Sequence, residues 1–98
     1  MTKEEQLHIS LMVIKLGGRF ANTYGLCRFI DLKFDIFDCT NIINDLIAKD
    51  YVTYNEIDGG RMFYLNSKGE EVLKNQKIAI IELLKHEFPK ELFLAEIL

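Results

Sequence analysis

The sequence contains few of the residues that mark specialised classes of protein. It has one proline, two cysteines and six glycines in 98 residues, which excludes a collagen-like chain and a disulfide scaffold. An excess of charge of one sign is also missing, because the net charge is −3 and each half of the chain is only slightly acidic. Hydrophobic residues make up 49% of the chain. We therefore expect one soluble globular domain with neither a basic arm nor an acidic tail.

Long hydrophobic runs are absent as well. A bilayer-spanning helix needs roughly 20 apolar residues, and the longest run here, residues 78–84, is interrupted by Glu82. The first residues lack the basic and apolar regions of a secretory signal. We expect a cytoplasmic protein without membrane contact, in which Cys27 and Cys39 remain free buried thiols.

The sequence also lacks the motifs of common catalytic and metal sites. His8 and His86 are far apart, and neither has a histidine or cysteine at the spacing of metal ligands. The glycine pairs at 17–18 and 59–60 lack the lysine and serine of a phosphate-binding loop. No serine has an evident aspartate and histidine partner. We predict no enzyme activity, no metal and no cofactor.

Helical periodicity dominates the first half of the chain. Thr2 and Glu5 form a capping box, and the apolar spacing that follows predicts a first helix over residues 3–16. A second helix over residues 24–31 follows a cap at Asn22 or Thr23. Asp35 is the predicted N-cap of a third helix, which ends near Lys49. The short connection between these two helices is typical of a helix-turn-helix.

The period then changes to that of strands. Residues 51–57 and 61–65 predict a hairpin around the turn at 58–60, and residues 19–21 are the one other strand candidate. Asn66 or Ser67 caps a last long helix, which Pro89 ends or restarts. An apolar segment over residues 91–98 closes the sequence.

Two motifs resemble PadR- and MarR-type regulators. Residues 63–69 (FYLNSKG) resemble their strand-to-helix junction, with Asn66 replacing the usual threonine. Residues 46–52 (LIAKDYV) resemble the segment after their recognition helix, with Asp50 where glycine is usual. The resemblance covers about residues 5–75. It implies an α+β, mainly α fold: a winged helix-turn-helix of three helices and a short β-hairpin wing. We assign residues 1–75 to this core and 76–98 to a C-terminal helical extension of the same domain.

The resemblance implies a DNA-binding transcriptional regulator, whose third helix enters the major groove and whose wing contacts the backbone. Asn41 and Asn44 on the outward face either read adenine edges or are ordinary solvated residues. Arg61 either contacts DNA or pairs with Asp58 or Glu56. Arg19 and Arg28 could add basic character at the edges. The candidate DNA contacts are Thr23, Tyr24, Lys33, Asn41, Asn44 and Arg61.

Acidic residues on the same face support a second interpretation. Asp38 and Asp45 would face phosphate, whose attraction to cations supplies much of the affinity for DNA. The alternative function is a winged-helix protein–protein interaction module without DNA binding, which would use Phe37, Asp38 and Asp45. Phe37 itself either contacts another protein or folds back on Phe34 or a neighbouring element.

The C-terminal region suggests a homodimer. The helix over residues 78–84 is apolar almost all round, so more than one side must be covered, and an exposed apolar segment usually marks an interface. In the alternative arrangement the last segment folds back onto the first helix of its own chain. The candidate dimer residues are Ile80, Leu83, Leu84, Phe88, Leu92, Phe93 and Ile97.

Overall fold

The helices and strands follow one another in the order that the periodicity predicts. The computed structural model describes residues 1–98. It is mainly helical with one two-stranded antiparallel sheet, so the α+β, mainly α class is confirmed. The helices are α1 (Lys3–Leu16), α2 (Thr23–Phe34), α3 (Cys39–Ala48), α4 (Ser67–Asn75) and α5 (Lys77–Glu87), the strands are β1 (Val52–Ile57) and β2 (Gly60–Leu65), and two 3-10 segments cover Gly18–Ala21 and Pro89–Ile97.

Helix α1 forms the centre of the core. Its predicted capping box is confirmed: the Thr2 hydroxyl accepts from the Glu5 amide at 3.1 Å, and the Thr2 amide donates to Glu5 Oε1 at 2.7 Å. Both α5 and the C-terminal 3-10 segment pack against α1, as do α2, α3, α4 and β2. Packing on nearly every side explains why so much of the helix is buried. The buried residues are Leu7, Ile9, Ser10, Leu11, Met12, Val13 and Ile14.

The connection between α2 and α3 differs from the prediction. Asp35 ends α2 instead of beginning α3, because it adopts a left-handed conformation (φ 54°) and its amide donates to the Asp31 carbonyl at 3.1 Å. That geometry is typical of a helix C-terminus. Ile36 then enters the core, where it is 1% exposed, and α3 starts at Cys39. Helix α2 is longer than expected and α3 is shorter.

The hairpin follows the predicted turn. Val52 pairs with Leu65 and Ile57 with Gly60. The strand candidate at residues 19–21 does not form a strand, because this segment belongs to the first 3-10 segment. Instead, Asn22 forms a single antiparallel bridge with Met62 of β2, so the start of α2 is attached directly to the hairpin.

Asn66 is the cap of α4, which settles the choice between Asn66 and Ser67. Its Oδ1 accepts from the Gly69 amide at 2.9 Å, and its Nδ2 donates to the carbonyl of Asp50. A Cβ atom on Gly69 would lie 2.1 Å from the Tyr51 carbonyl oxygen. The lack of a side chain at Gly69 therefore lets α4 approach the beginning of the hairpin closely.

The C-terminal region folds onto its own chain, which corrects part of the proposed dimer interface. Gln76 divides the predicted long helix into α4 and α5, and Pro89 begins the second 3-10 segment. Ile80, Leu83 and Leu84 are buried in the core of the single chain, because the 3-10 segment covers α5 and reaches α1. These three side chains are therefore unavailable to a partner.

The remaining residues of that predicted interface are less buried. Phe88, Leu92 and Ile97 are half-buried against the core, and the Phe88 ring packs edge-on against Phe34 at 5.0 Å. Phe93 is 64% exposed. None of the helices combines the length and apolar character needed to cross a membrane.

The two cysteines form a disulfide, so the expectation of free thiols is wrong. The bond joins Cys27 of α2 to Cys39 at the start of α3, with their Cα atoms 5.5 Å apart. That separation lies within the usual range for a disulfide. The pair has no sequence motif because the crossing of the two helices, not local spacing, brings the residues together.

Candidate nucleic-acid interface

A groove lies between α3, the first turn of α2 and the tip of the hairpin. Its volume is about 670 Å³. Three of the six predicted DNA-contacting residues meet here: Thr23 from α2, Asn44 from α3 and Arg61 from β2. The residues that complete its lining are Thr40, Ile43, Glu56, Ile57, Asp58, Gly59 and Gly60. The hairpin therefore supplies one wall of the groove and α3 supplies another.

The outer face of α3 carries small polar side chains. Ile42, Ile43 and Leu46 point into the core, so Asn44 and Thr40 are left exposed on the groove side. Neither makes a hydrogen bond through its side chain. Thr40 was missed in the sequence analysis, although it lies four residues before Asn44 and so on the same helix face. These two side chains have free donors and acceptors for a ligand.

Asn41 is placed differently from Asn44. Its Nδ2 donates to Asp38 Oδ2 at 2.8 Å, and it does not line the groove. Asp38 makes no hydrogen bond that caps α3. The two predicted base-reading asparagines are therefore not equivalent, and only Asn44 is both unengaged and in the groove.

The two acids on the predicted outward face also differ. Asp45 is half-buried, and its Oδ2 lies 3.2 Å from Lys3 Nζ. On the same side, Lys49 Nζ lies 3.7 Å from Glu4. The Asp45 charge is therefore neutralised next to α1, whereas Asp38 remains exposed and has no cationic partner.

Arg61 is held by an aromatic ring. Its guanidinium carbon lies 4.4 Å from the centre of the Tyr54 ring, which is the geometry of a cation–π contact. It forms no ion pair with either Glu56 or Asp58, although Glu56 is its register partner on β1. Both acids line the groove with Arg61, so the hairpin wall is mixed in charge.

A second cleft adjoins the start of α2 and is basic. It has a volume of about 370 Å³, and no acidic residue lines it. Arg28 Nη1 donates to the Tyr24 hydroxyl at 3.3 Å, and the Arg19 guanidinium lies 5.0 Å from the Phe20 ring centre. Lys33, which was predicted to contact DNA, lies here with Tyr24 and not in the groove. The structure thus separates these candidates into two neighbouring surfaces.

Phe37 does not fold back on Phe34. Its side chain is 76% exposed, whereas the Phe34 ring packs between Phe29 and Phe88. Asp38 follows it and is exposed, but Asp45 is drawn toward Lys3. Of the three residues assigned to the protein-interaction alternative, only Phe37 and Asp38 form an exposed pair.

The sequence matches no family model, and neither the curated proteins nor the solved structures gave a match. The chemistry of the groove and the neighbouring basic cleft is therefore the basis for assigning a function.

Proposed function

We propose that this chain is a winged helix-turn-helix protein that binds double-stranded DNA and acts as a transcriptional regulator. In this proposal α3 enters the major groove and the β1–β2 hairpin is the wing. The observation that carries it is the groove in which the unengaged Asn44 and Thr40 of α3 face the hairpin and Arg61. The order of three helices followed by a hairpin supports the same interpretation.

The dimensions and side chains of α3 suit the major groove of DNA. A helix of ten residues is about 15 Å long, and the major groove admits a single α-helix. An asparagine amide can bind N6 and N7 of adenine with two hydrogen bonds, and threonine offers a hydroxyl and a methyl group. We assign base contacts to Asn44 and Thr40, and we assign Asn41 a supporting role because its amide is bonded to Asp38.

Phosphate contacts come from both sides of α3 in this proposal. The backbone amides of Thr23 and Tyr24 lie at the start of α2, where a helix favours anions. Next to them is the basic cleft with Arg19, Arg28 and Lys33, and Arg61 lies on the hairpin. If about four cations contact phosphate, a plot of the logarithm of the association constant against the logarithm of the salt concentration has a slope of about −4.

Fluorescence anisotropy with a labelled random-sequence duplex tests this proposal. We expect binding at low salt that weakens steeply as salt is added. Arg61→Ala reduces the salt slope by about 1. Lys90→Ala, outside the groove, serves as the charge-matched control and leaves the slope unchanged. A folded protein that does not bind the duplex pool at low salt would contradict the proposal.

A sequence selected from that pool then tests base reading. Asn44→Ala should reduce the preference for the selected sequence over the random pool by about tenfold, which corresponds to one lost base contact. The salt slope stays the same, because Asn44 carries no charge. Asn75→Ala, exposed at the end of α4, is the control. Equal loss of affinity for selected and random DNA would contradict a base-reading role.

We also propose that the protein acts as a homodimer. The support is the two large apolar side chains that the C-terminal region leaves exposed, Ile78 (78% exposed) and Phe93 (64% exposed). Light scattering across a dilution series should give twice the chain mass of 11.4 kDa, and Phe93→Asp should reduce it toward the monomer. A monomer at every concentration would remove this part of the proposal.

The second candidate function is a protein–protein interaction module. The specific observation in its favour is the exposed Phe37 beside Asp38, because a large exposed aromatic residue is typical of an interface. Failure of the folded protein to bind DNA in the anisotropy experiment would favour this function. DNA binding that survives Phe37→Ser would show that the regulator does not need this residue.

A further inference from the structure

We propose that the Cys27–Cys39 disulfide is a reversible redox site that holds the first turn of α3 and thereby controls DNA binding at the groove. The control of DNA binding rests on the proposed function, whereas the redox site rests on the contacts of α2 and α3. The bond links the second helix directly to the first residue of the helix that carries Thr40 and Asn44.

The start of α3 lacks the side-chain cap that begins α1, α2 and α4. Thr2, Asn22 and Asn66 each cap a helix with a side-chain acceptor. Asp38 at the same position of α3 makes no such bond, and its carboxylate accepts from Asn41 instead. An uncapped helix start leaves backbone amides unsatisfied and frays more easily. The disulfide therefore replaces the missing cap as a covalent attachment of Cys39 and Thr40, between the buried Ile36 and Ile42 that anchor the chain on either side.

A reductant can reach the bond. Both cysteines are half-buried and border a shallow depression of about 290 Å³ lined also by Tyr24, Arg28 and Phe37, together with Asp31 and Ile36. Cys39 lies at the N-terminus of α3, where the helix dipole stabilises a thiolate. The thiol with the more stable thiolate is the better leaving group in thiol–disulfide exchange. Cys39 is therefore the sulfur that leaves first.

The reductant in this proposal is a dithiol. Its first thiolate attacks Cys27 Sγ, a sulfur–sulfur bond forms there, and the Cys27–Cys39 bond breaks with its electron pair on Cys39 Sγ. The second thiolate then attacks the reductant's own sulfur in the mixed disulfide and releases Cys27. The dithiol is oxidised to a cyclic disulfide by two electrons, and its two protons pass to the released cysteines. A low-molecular-weight disulfide such as oxidised glutathione reverses the reaction and is reduced to two thiols.

Reduction should affect the groove through Thr40. This residue follows Cys39 directly and lines the groove, and Asn44 lies just over one turn further along α3. If only about a tenth of the reduced molecules keep the first turn in place, the apparent Kd for DNA rises about tenfold. The reduced protein is thus the weaker DNA binder.

The test compares the protein treated with oxidised glutathione and with dithiothreitol. Alkylation and mass spectrometry should find no reactive thiol after oxidation and two after reduction. Hydrogen exchange at residues 39–42 should be faster in the reduced protein, while exchange within α1 stays unchanged. Reactive thiols after oxidation, or equal exchange at residues 39–42 in both forms, would overturn the proposed redox site.

DNA anisotropy on the same two samples separates the two proposals. The expected result is about tenfold weaker binding after reduction. The variant Cys27→Ser/Cys39→Ser should match the reduced protein and show no response to dithiothreitol. Equal affinity of the two forms overturns redox control of binding. If hydrogen exchange depends on the redox state but neither form binds DNA, the result supports the redox site and overturns the DNA-binding function.

Discussion

Lys3 Nζ lies 3.2 Å from Asp45 Oδ2 and joins the first turn of α1 to α3. An exposed pair of this kind stabilises a protein by less than about 1 kcal/mol. The pair matters because it places a positive charge beside Asp45, which is one of the two acids expected to repel phosphate. The net charge of −3 therefore does not describe the surface that α3 presents to the groove.

Removal of the Lys3 charge should weaken DNA binding. Lys3→Ala leaves Asp45 without its cation close to the DNA-binding face, and we expect about a twofold loss of affinity at low salt, where the Debye length is longest. Lys3→Ala/Asp45→Asn should restore the affinity, because the uncovered acid is gone and the net charge returns to −3. Lys90→Ala changes the net charge equally and is the control. If Lys3→Ala and Lys90→Ala lose the same affinity for DNA, the effect comes from net charge alone and the account of the Lys3–Asp45 pair is contradicted.

Asn66 should contribute to stability through two separate contacts. Its Oδ1 caps α4, and its Nδ2 donates to both the carbonyl and the Oδ1 of Asp50. Asn66→Ala removes both and should lower the free energy of unfolding by about 2 kcal/mol. Asn66→Thr keeps a cap and loses only the bond to Asp50, so we expect a loss of about 1 kcal/mol. Urea denaturation measures both, and Asn55→Ala is the control. Equal values for the two Asn66 variants would contradict the separation of roles.

Gly25 should not tolerate a side chain. A Cβ atom there would lie 1.7 Å from the Arg19 carbonyl oxygen in the preceding 3-10 turn. Gly25→Ala therefore forces the backbone apart, and we expect a loss of about 3 kcal/mol. In Gly60→Ala the nearest atom to the added Cβ would be 3.7 Å away, so that variant is the matched control. Circular dichroism during thermal unfolding should show a large decrease in Tm only for Gly25→Ala.

The stability should decrease as the pH falls below about 6.5 because of His8. Burial lowers the pKa of this imidazole from its ordinary value of 6.5, and the charges of Glu4 and Glu5 oppose the shift only in part. Below that ordinary value the unfolded chain binds a proton that the folded protein does not, so folding becomes less favourable. Urea denaturation across this range should show the loss in the wild type and a flatter profile in His8→Gln.

His86→Gln provides the control for that experiment, because the His86 side chain is exposed on α5. Glu5 acts in another range: the bond from the Thr2 amide lowers the pKa of its carboxyl. The contribution of Glu5 to stability is present at neutral pH and is lost only as the pH falls below about 4.5. A pH profile in His8→Gln identical to that of the wild type would contradict the assignment to His8.

Local signals in the sequence predict much of this fold. The Thr2 capping box defines the start of α1, and the turn at residues 58–60 defines the hairpin. Both depend on neighbouring residues only. Asp35 was assigned wrongly because aspartate suits both an N-cap and the left-handed conformation that ends a helix, and tertiary packing of Ile36 decides between them.

Features that depend on distant contacts were not predictable in the same way. The Cys27–Cys39 bond requires the crossing of α2 and α3. An apolar helix indicates that it must be covered but not by what. The buried side of α5 was therefore assigned to a partner, although the core and the last segment of the same chain cover it. In the groove, the spacing of the residues placed Asn44 on the correct face. It did not show that Asp38 engages Asn41.

An NMR titration tests the central claim most directly. Isotope-labelled protein is titrated with a generic duplex at low salt, and the shift of each backbone amide is followed. We predict that the largest changes fall at Thr23, Thr40, Asn44 and Arg61, which line the groove, and that they reverse when salt is added. Changes that cluster instead around Phe37, or no change at any amide, would contradict binding of DNA by α3 and the hairpin.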